Sequence, residues 1–299
     1  MSGSSRPVTF FKMHSLGNDF LVLDRVTQPV NLSPEQVSAW ADRKTGVGFD
    51  QLLTIDPPTT ADADFDYGIY NADGSQAEQC GNGTRCVTLL AHHLKLTKKS
   101  TLQWQSPAGR IRTEFNSATQ IETTLTVPQL NLTDIPLNAS AATAGAELPA
   151  EETTGEQRTT WQLDSAAGTF EVTPVSMGNP HGVMFFDDIF DLDVAAIGGA
   201  LTRHAAFPEG ANIGFCQIID RQFARLRVFE RGVGETRACG SGACAAVVAA
   251  HLHGLVNDKV KISLPGGKLR ITWPGPGHPV TMSGSATLVY RGELYVGQA

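Results

Sequence analysis

Apolar and polar residues alternate along most of this chain in short runs separated by glycine, asparagine and proline, the period-two signature of half-buried strands. Residues 8–24 hold two such runs, Phe10-Phe11-Lys12-Met13 and Phe20-Leu21-Val22-Leu23, with His14-Ser15-Leu16-Gly17-Asn18-Asp19 as the turn between them. Further strands are expected at residues 52–55, 65–70, 101–105, 110–115, 123–127, 160–163, 169–174, 183–186, 216–220, 224–230, 260–263, 268–273, 281–285 and 287–291. Helical patterning is rarer. Ser33-Pro34-Glu35 supplies an N-cap serine, a first-position proline and an early acid for a helix reaching about Arg43. Residues 191–202 make a second, weakened by Gly198-Gly199. Residues 84–94 and 243–252 are two more, and a helix with no polar face to show water belongs inside a sheet. Residues 137–159 are different: rich in Ala, Thr and Glu with no apolar period, they read as an exposed, mobile insertion.

The pattern occurs twice. Cys80-Gly81-Asn82-Gly83 opens one buried helix and Cys239-Gly240-Ser241-Gly242 the other. Nine residues before each cysteine a strand ends in a polar residue, Asn71 or Glu230, and twelve after each comes an Ala-His pair, at His92 and His251. Pro107-Ala108-Gly109-Arg110 corresponds to Pro265-Gly266-Gly267-Lys268, and Gly17-Asn18 to Gly178-Asn179. Gly48-Phe49-Asp50-Gln51 corresponds to Gly214-Phe215-Cys216-Gln217. Matches in the same order predict a tandem duplication with a period of about 160 residues, far beyond solenoid repeats. The expected fold class is α+β, with two pseudo-symmetric lobes, each a curved mixed β-sheet or barrel around a central apolar helix.

Composition narrows the function. A chain of 299 residues has room for two domains, and a net charge of -7 without a basic cluster argues against nucleic acid as a partner. No window approaches a membrane span, and residues 1–8, of which 1–5 read as a disordered start, have no signal-peptide apolar region. The expected location is cytoplasmic, with no membrane partner. Five cysteines, an odd number, do not suggest a secreted disulfide framework. Their spacing, with glycines in the gaps, is not that of zinc ligands, so no metal is expected.

A cysteine at a helix start lies beside unpaired N–H groups and the positive end of the dipole, which favours a thiolate. The same turn can hold an anion. Two such turns facing one bound carboxylate would place thiols on opposite sides of its α-carbon. One thiolate could then take the proton from one face while the other thiol protonates the opposite face. A single base would tend to return the proton to the face it left. N–H groups around Gly81-Asn82 and Gly240-Ser241 would stabilise the carboxylate as charge builds on it. Cys86, Cys216 and Cys244 are expected to be packing residues. Asn18, Asn71, Asn179 and Asn212 stand in turn contexts, where asparagine is common for backbone reasons alone.

The motifs Met13-His14-Ser15-Leu16-Gly17-Asn18-Asp19-Phe20, Gly48-Phe49-Asp50-Gln51, Asn71-Ala72-Asp73-Gly74-Ser75 and Cys80-Gly81-Asn82-Gly83-Thr84-Arg85-Cys86 resemble those of diaminopimelate epimerases. So do Gly178-Asn179-Pro180-His181, Ala211-Asn212-Ile213-Gly214-Phe215, Glu230-Arg231-Gly232-Val233-Gly234-Glu235-Thr236 and Ala238-Cys239-Gly240-Ser241-Gly242. The resemblance covers residues 8–294, with 137–159 as the departure. It implies a cofactor-independent isomerase interconverting LL- and meso-2,6-diaminoheptanedioate, on the route to lysine and peptidoglycan. Cys80 and Cys239 would be the acid–base pair, with His181 and Glu230 tuning their protonation. Gly81, Asn82, Gly240 and Ser241 would hold the reacting carboxylate. Asn18, Gln51, Asn71, Asn179, Asn212, Glu230 and Arg231 would read the ammonium groups and the distal end. The last strand would return to the first lobe, giving lobes of residues 1–124 with 285–299, and 125–284, and an active site in the cleft between them. Tyr290 matches a dimer-contact position, which implies a homodimer. A proline racemase-like enzyme of the same architecture is the nearest alternative. A thiol redox switch pairing Cys80 with Cys239, or a binding protein without turnover, would be a different class; the absence of Cys-x-x-Cys weighs against the redox role.

Overall fold

A computed structural model of the chain describes residues 7–77, 80–107, 109–147 and 159–295. It divides into two units, Met1–Thr123 with Gly284–Ala299, and Thr124–Ser283. In the first, β1 (Val8–Ser15) and β2 (Asn18–Asp24) form a hairpin, followed by α1 (Pro34–Ala41), β3 (Gln51–Asp56) and β4 (Phe65–Asn71). Then come α2 (Gly81–His93), β5 (Thr101–Ser106), β6 (Gly109–Ser117) and β7 (Gln120–Thr124). The second unit has β8 (Thr143–Glu147), β9 (Thr159–Ser165), β10 (Gly168–Ser176), β11 (Pro180–Phe185), α3 (Val194–Leu201), β12 (Asn212–Asp220) and β13 (Phe223–Glu230). It continues through β14 (Gly234–Thr236), α4 (Gly240–Leu252), β15 (Lys259–Leu264), β16 (Gly267–Thr272) and β17 (Thr281–Gly284). The final strand, β18 (Thr287–Leu294), returns to the first unit and pairs antiparallel with β1.

The duplication is visible in the pairing. In the first unit β1/β2 is antiparallel, β2/β3 parallel, β3/β4 antiparallel, β4/β5 parallel and β5/β6 antiparallel. In the second, β10/β11, β11/β12, β12/β13, β13/β15 and β15/β16 repeat that sequence in the same order. The parallel steps need crossovers, which α1 and α2, or α3 and α4, supply. Each unit therefore wraps a mixed sheet against one central helix. From α2, Cys86, Val87, Leu90 and Ala91 pack among Phe11, Phe20, Leu53, Tyr67 and Trp104, all buried. In α4 every residue is buried except Ser241 and His251.

Several expectations change. Both central helices begin earlier than the apolar pattern indicates, at Gly81 and Gly240, because glycines occupy the first turn. The all-apolar reading holds for α4 and fails for α2, which buries Asn82, Thr84, Arg85 and Thr88. The threonines satisfy themselves: Thr84 Oγ1 donates to the Cys80 carbonyl at 3.0 Å and Thr88 Oγ1 to the Thr84 carbonyl at 2.8 Å. The segment 137–159 contains a 3-10 turn, Ala139–Ala141, and the strand β8 paired with β9; residues 148–158 lie outside the described residues. The strand expected at 123–127 is β7 at Gln120–Thr124, and β14 has no counterpart among the expected strands.

The repeat alignment also shifts. Gln51 pairs with Phe20, two residues after Asn18, and Asn212 pairs with His181, two residues after Asn179. Gln51 therefore corresponds to Asn212, not to Gln217; the Gly-Phe-x-Gln likeness between those stretches is not the structural equivalence.

Candidate active site

Strand starts and ends decide which side chains share an edge. In the first unit, Asn18 opens β2, Gln51 opens the parallel β3, and Asn71 closes the antiparallel β4, opposite Gln51. All three lie at one end of the sheet. Asn18 follows a two-residue turn in which Leu16 and Gly17 both take positive φ, 56° and 86°. A leucine there costs about 1 kcal/mol, and burial of its side chain is what holds it. Gln51 Nε2 donates to Asn71 Oδ1 at 3.1 Å, and Asn71 Nδ2 to Ser75 Oγ at 3.1 Å.

Cys80 is the N-cap of α2, and its Sγ accepts from the Gly83 N–H at 3.3 Å. Asn18 Oδ1 stands 3.8 Å from that sulfur and accepts from Asn82 Nδ2 at 3.4 Å. Below the turn, the buried Tyr67 hydroxyl donates to the Cys80 carbonyl at 3.2 Å. The turn thus joins Cys80, Gly81, Asn82 and Asn18, with Gln51 and Asn71 as a second pair on the same edge.

The second unit repeats the plan. Asn179 precedes β11, Asn212 opens β12, and Glu230 closes β13. Arg231 begins the turn between β13 and β14, where Gly232 and Gly234 take positive φ. Asn212 Oδ1 accepts from the Arg231 backbone N–H at 2.9 Å, and Arg231 Nη1 donates to the Glu209 carbonyl at 2.6 Å. Thr236 Oγ1 donates to Glu230. His181 is buried and bonded through Nε2 to Asn179 Oδ1 at 3.1 Å. Burial, helped by the Arg231 charge, lowers its pKa to about 3, so it is a neutral imidazole whose Nε2–H donates.

Cys239 caps α4 with its Sγ 3.7 Å from Ser241 Oγ. Here the expected thiolate does not hold. Burial pushes the Cys239 thiol well above its ordinary value and the Glu230 carboxylate pushes it further, while the Gly242 N–H and the Ser241 hydroxyl pull back only in part. A helix start stabilises a thiolate by about 1 kcal/mol, less than desolvation of a fully buried charge costs. Cys86, Cys216 and Cys244 are fully or almost fully buried, as packing requires. Tyr290 lies on β18 opposite Lys12, 45% exposed, with its ring edge against Phe10.

Sequence reasoning assigned no role to Tyr67, Arg85 or Asp50. The signal was present for Arg85, a charged residue inside an otherwise packed helix turn next to Cys86; nothing local marked Tyr67.

Two repeated sheet-and-helix units, each opening its central helix on a cysteine, make up a fold found in other solved structures. A Bacillus anthracis phenazine biosynthesis protein of the PhzF family superposes with a TM-score of 0.66 over 98% of this chain and 100% of its own, at 14% identity. A hydroxyproline epimerase from Agrobacterium vitis does so at 0.65, covering 98% and 93%, at 13% identity. At those identities the likeness concerns the fold alone. Sequence is more specific. The pattern of the family described as diaminopimelate epimerase matches residues 10–130 and 173–289, and the unmatched stretch between contains the 137–159 segment. Proteins named diaminopimelate epimerase from Pseudomonas syringae pv. tomato and Pseudomonas fluorescens are each 45% identical over 285 residues, 95% of this chain and 98% of theirs. The chain belongs to the diaminopimelate epimerase family, and it is an isomerase.

Proposed function

We propose that this chain inverts one α-carbon of 2,6-diaminoheptanedioate, interconverting its LL and meso isomers, with Cys80 and Cys239 as the two acid–base groups. The observation that carries the reading is the repeated N-cap cysteine at the head of a central helix, in a chain of this family. In this mechanism the two units close on the substrate, and its α-carboxylate takes N–H donors from Gly81, Asn82, Gly240 and Ser241. Burial and Glu230 favour the thiol form of Cys239. One of the two, as thiolate, takes the α-proton from one face and the other gives its S–H proton to the opposite face; the reverse reaction exchanges the roles. Neutral His181 acts through its bond to Asn179 rather than through charge. Asn18, Gln51, Asn71, Asn179, Asn212, Glu230 and Arg231 read the ammonium groups and the distal end. The unit of function is a homodimer in contact at Tyr290, working in the cytoplasm on a small molecule, with neither nucleic acid nor membrane as partner. Among the described residues no helix is long and apolar enough to cross a membrane.

Chiral chromatography of LL-2,6-diaminoheptanedioate incubated with reduced protein, without pyridoxal phosphate, tests this directly. The meso isomer should form, and Cys80→Ala and Cys239→Ala should each lose at least about a thousandfold in rate. Inversion of proline or hydroxyproline in place of this substrate would overturn the assignment.

A further inference from the structure

Arg85 and Asp50 have no part in the mechanism above. Arg85 is wholly buried in α2, a costly place for a guanidinium. Its Nε and Nη2 donate to Ser15 Oγ at 3.1 and 2.9 Å, and Nη2 also donates to Asn82 Oδ1. Ser15 Oγ donates onward to the Ser285 carbonyl at 2.7 Å. A guanidinium has no acceptor, so Asn82 must turn its oxygen to Arg85 and its nitrogen away. That nitrogen donates to Asn18 Oδ1 at 3.4 Å.

Asn18 commits its own nitrogen to Asp50 Oδ2 at 2.9 Å, and a carboxylate can only accept. Asp50 is itself held, by Arg43 Nη2 at 2.8 Å on one oxygen and the Asp19 N–H at 3.1 Å on the other. Arg43 grips Asp19 at 2.7 and 3.0 Å, and Lys12 bridges Asp19 to the Gly48 carbonyl. Burial pushes the Asp19 pKa up, but the hydrogen bonds and charges of Arg43 and Lys12 outweigh it and bring the pKa to about 2, so the cluster stays ionised.

The hydrogen bonds thus run one way, Arg85 to Asn82 to Asn18 to Asp50, with a cation at the head and a carboxylate at the foot. Neither amide can flip without setting donor against donor or acceptor against acceptor. The Asn18 oxygen is thereby fixed as the group that faces Cys80 Sγ, at 3.8 Å.

We propose that Arg85 and Asp50 are positioning residues that polarise the Asn82–Asn18 pair, so that Cys80 meets an amide oxygen and not an amide nitrogen. An oxygen there accepts the S–H and favours the thiol; a nitrogen would donate to sulfur and favour the thiolate. The inference deepens the two-thiol reading, and any effect on turnover rests on that reading.

Asp50→Ala removes the acceptor at the foot of the chain, so only the long 3.4 Å bond from Asn82 still holds the Asn18 oxygen toward the sulfur and the turned amide gains population. Alkylation by iodoacetamide at neutral pH, read by peptide mass spectrometry without substrate, should then run about three- to tenfold faster at Cys80. Cys239, in the other unit, should keep its rate. Asp50→Asn retains an acceptor oxygen and should stay within about twofold of wild type at Cys80. Arg43→Met, at an exposed position, is the second variant if Asp50→Ala does not fold, and should move Cys80 in the same direction by a smaller factor. An unchanged or slower Cys80 rate overturns the proposal. So does a parallel rise at both cysteines, which would mean general loosening. Failure of the wild-type protein to invert its substrate would refute the functional reading and leave this comparison standing, because the alkylation uses no substrate.

Discussion

Gly83 is where the packing beneath the Cys80 turn can be tested most sharply. A Cβ at this position would come 2.3 Å from the Tyr67 hydroxyl oxygen and 3.0 and 3.2 Å from the two Leu53 δ-carbons. Tyr67 and Leu53 are both buried, so the ring or the first turn of α2 must move by about 1 Å to restore ordinary contact. Overpacking of this kind costs about 1–3 kcal/mol, and alanine returns up to about 1 kcal/mol over glycine in a helix. Gly83→Ala should therefore lose roughly 1–2 kcal/mol, a fall in Tm of about 2–8 °C for a unit of this size. Activity should suffer more, because Cys80 caps the same turn and a displacement near 1 Å costs about a hundredfold in rate. Tyr67→Phe removes the clashing oxygen together with its 3.2 Å bond to the Cys80 carbonyl, a loss of about 1 kcal/mol taken alone. Combined, the two changes should cost less than their sum by at least about 1 kcal/mol. Thermal unfolding followed by circular dichroism, with epimerisation rates beside it, reads both quantities. A Gly83→Ala protein that melts at or above the wild-type temperature would refute the reasoning, as would strict additivity with Tyr67→Phe.

Three further outcomes follow from the second unit. The folded pKa of His181, about 3, lies below its unfolded value of 6.5, so the unfolded chain binds the extra proton and stability falls as pH drops from 6.5 toward 3. By pH 4.5 the loss should be about 2–3 kcal/mol in urea unfolding, and His181→Gln should remove most of that slope. Because the Glu230 carboxylate raises the Cys239 thiol, Glu230→Gln should speed iodoacetamide capture of Cys239 several-fold at neutral pH while leaving Cys80 unchanged; an equal or slower Cys239 rate would contradict the assigned cause. Gly198→Ala in α3 would place a methyl 2.4 Å from Phe229 Cβ on β13, and should cost about 1–3 kcal/mol by thermal melt; a neutral effect would show that α3 can slide.

Much of this molecule is legible in its sequence because its signals are local. The Ser33 N-cap, the Gly17-Asn18 turn and the cysteines that head the two central helices each depend on a few adjacent residues, and each stands in the role expected of it. What was missed depends on partners far along the chain. Arg85 looks misplaced in a buried helix until Ser15, 70 residues earlier, is seen to accept from it. Burial, with Glu230 adding to it, reverses the protonation that the helix start alone would favour at Cys239, and no spacing rule contains a desolvation cost. The Gln51–Asn212 equivalence comes from strand register, which side-chain likeness between short motifs cannot reveal.

The central claim is that two thiols work on opposite faces of one carbon, and heavy water tests it most directly. LL-2,6-diaminoheptanedioate would be incubated in D2O with reduced wild-type protein, Cys80→Ala and Cys239→Ala, and deuterium at the α-carbon measured in each isomer by mass spectrometry. With the wild type, label should enter the inverted product from the first turnovers while unreacted LL substrate stays nearly unlabelled, since the proton is lost from one face and replaced from the other. Neither variant should form labelled product. Early label in recovered LL substrate equal to that in the product, or inversion surviving in either variant, would mean that a single base serves both faces and would contradict the account.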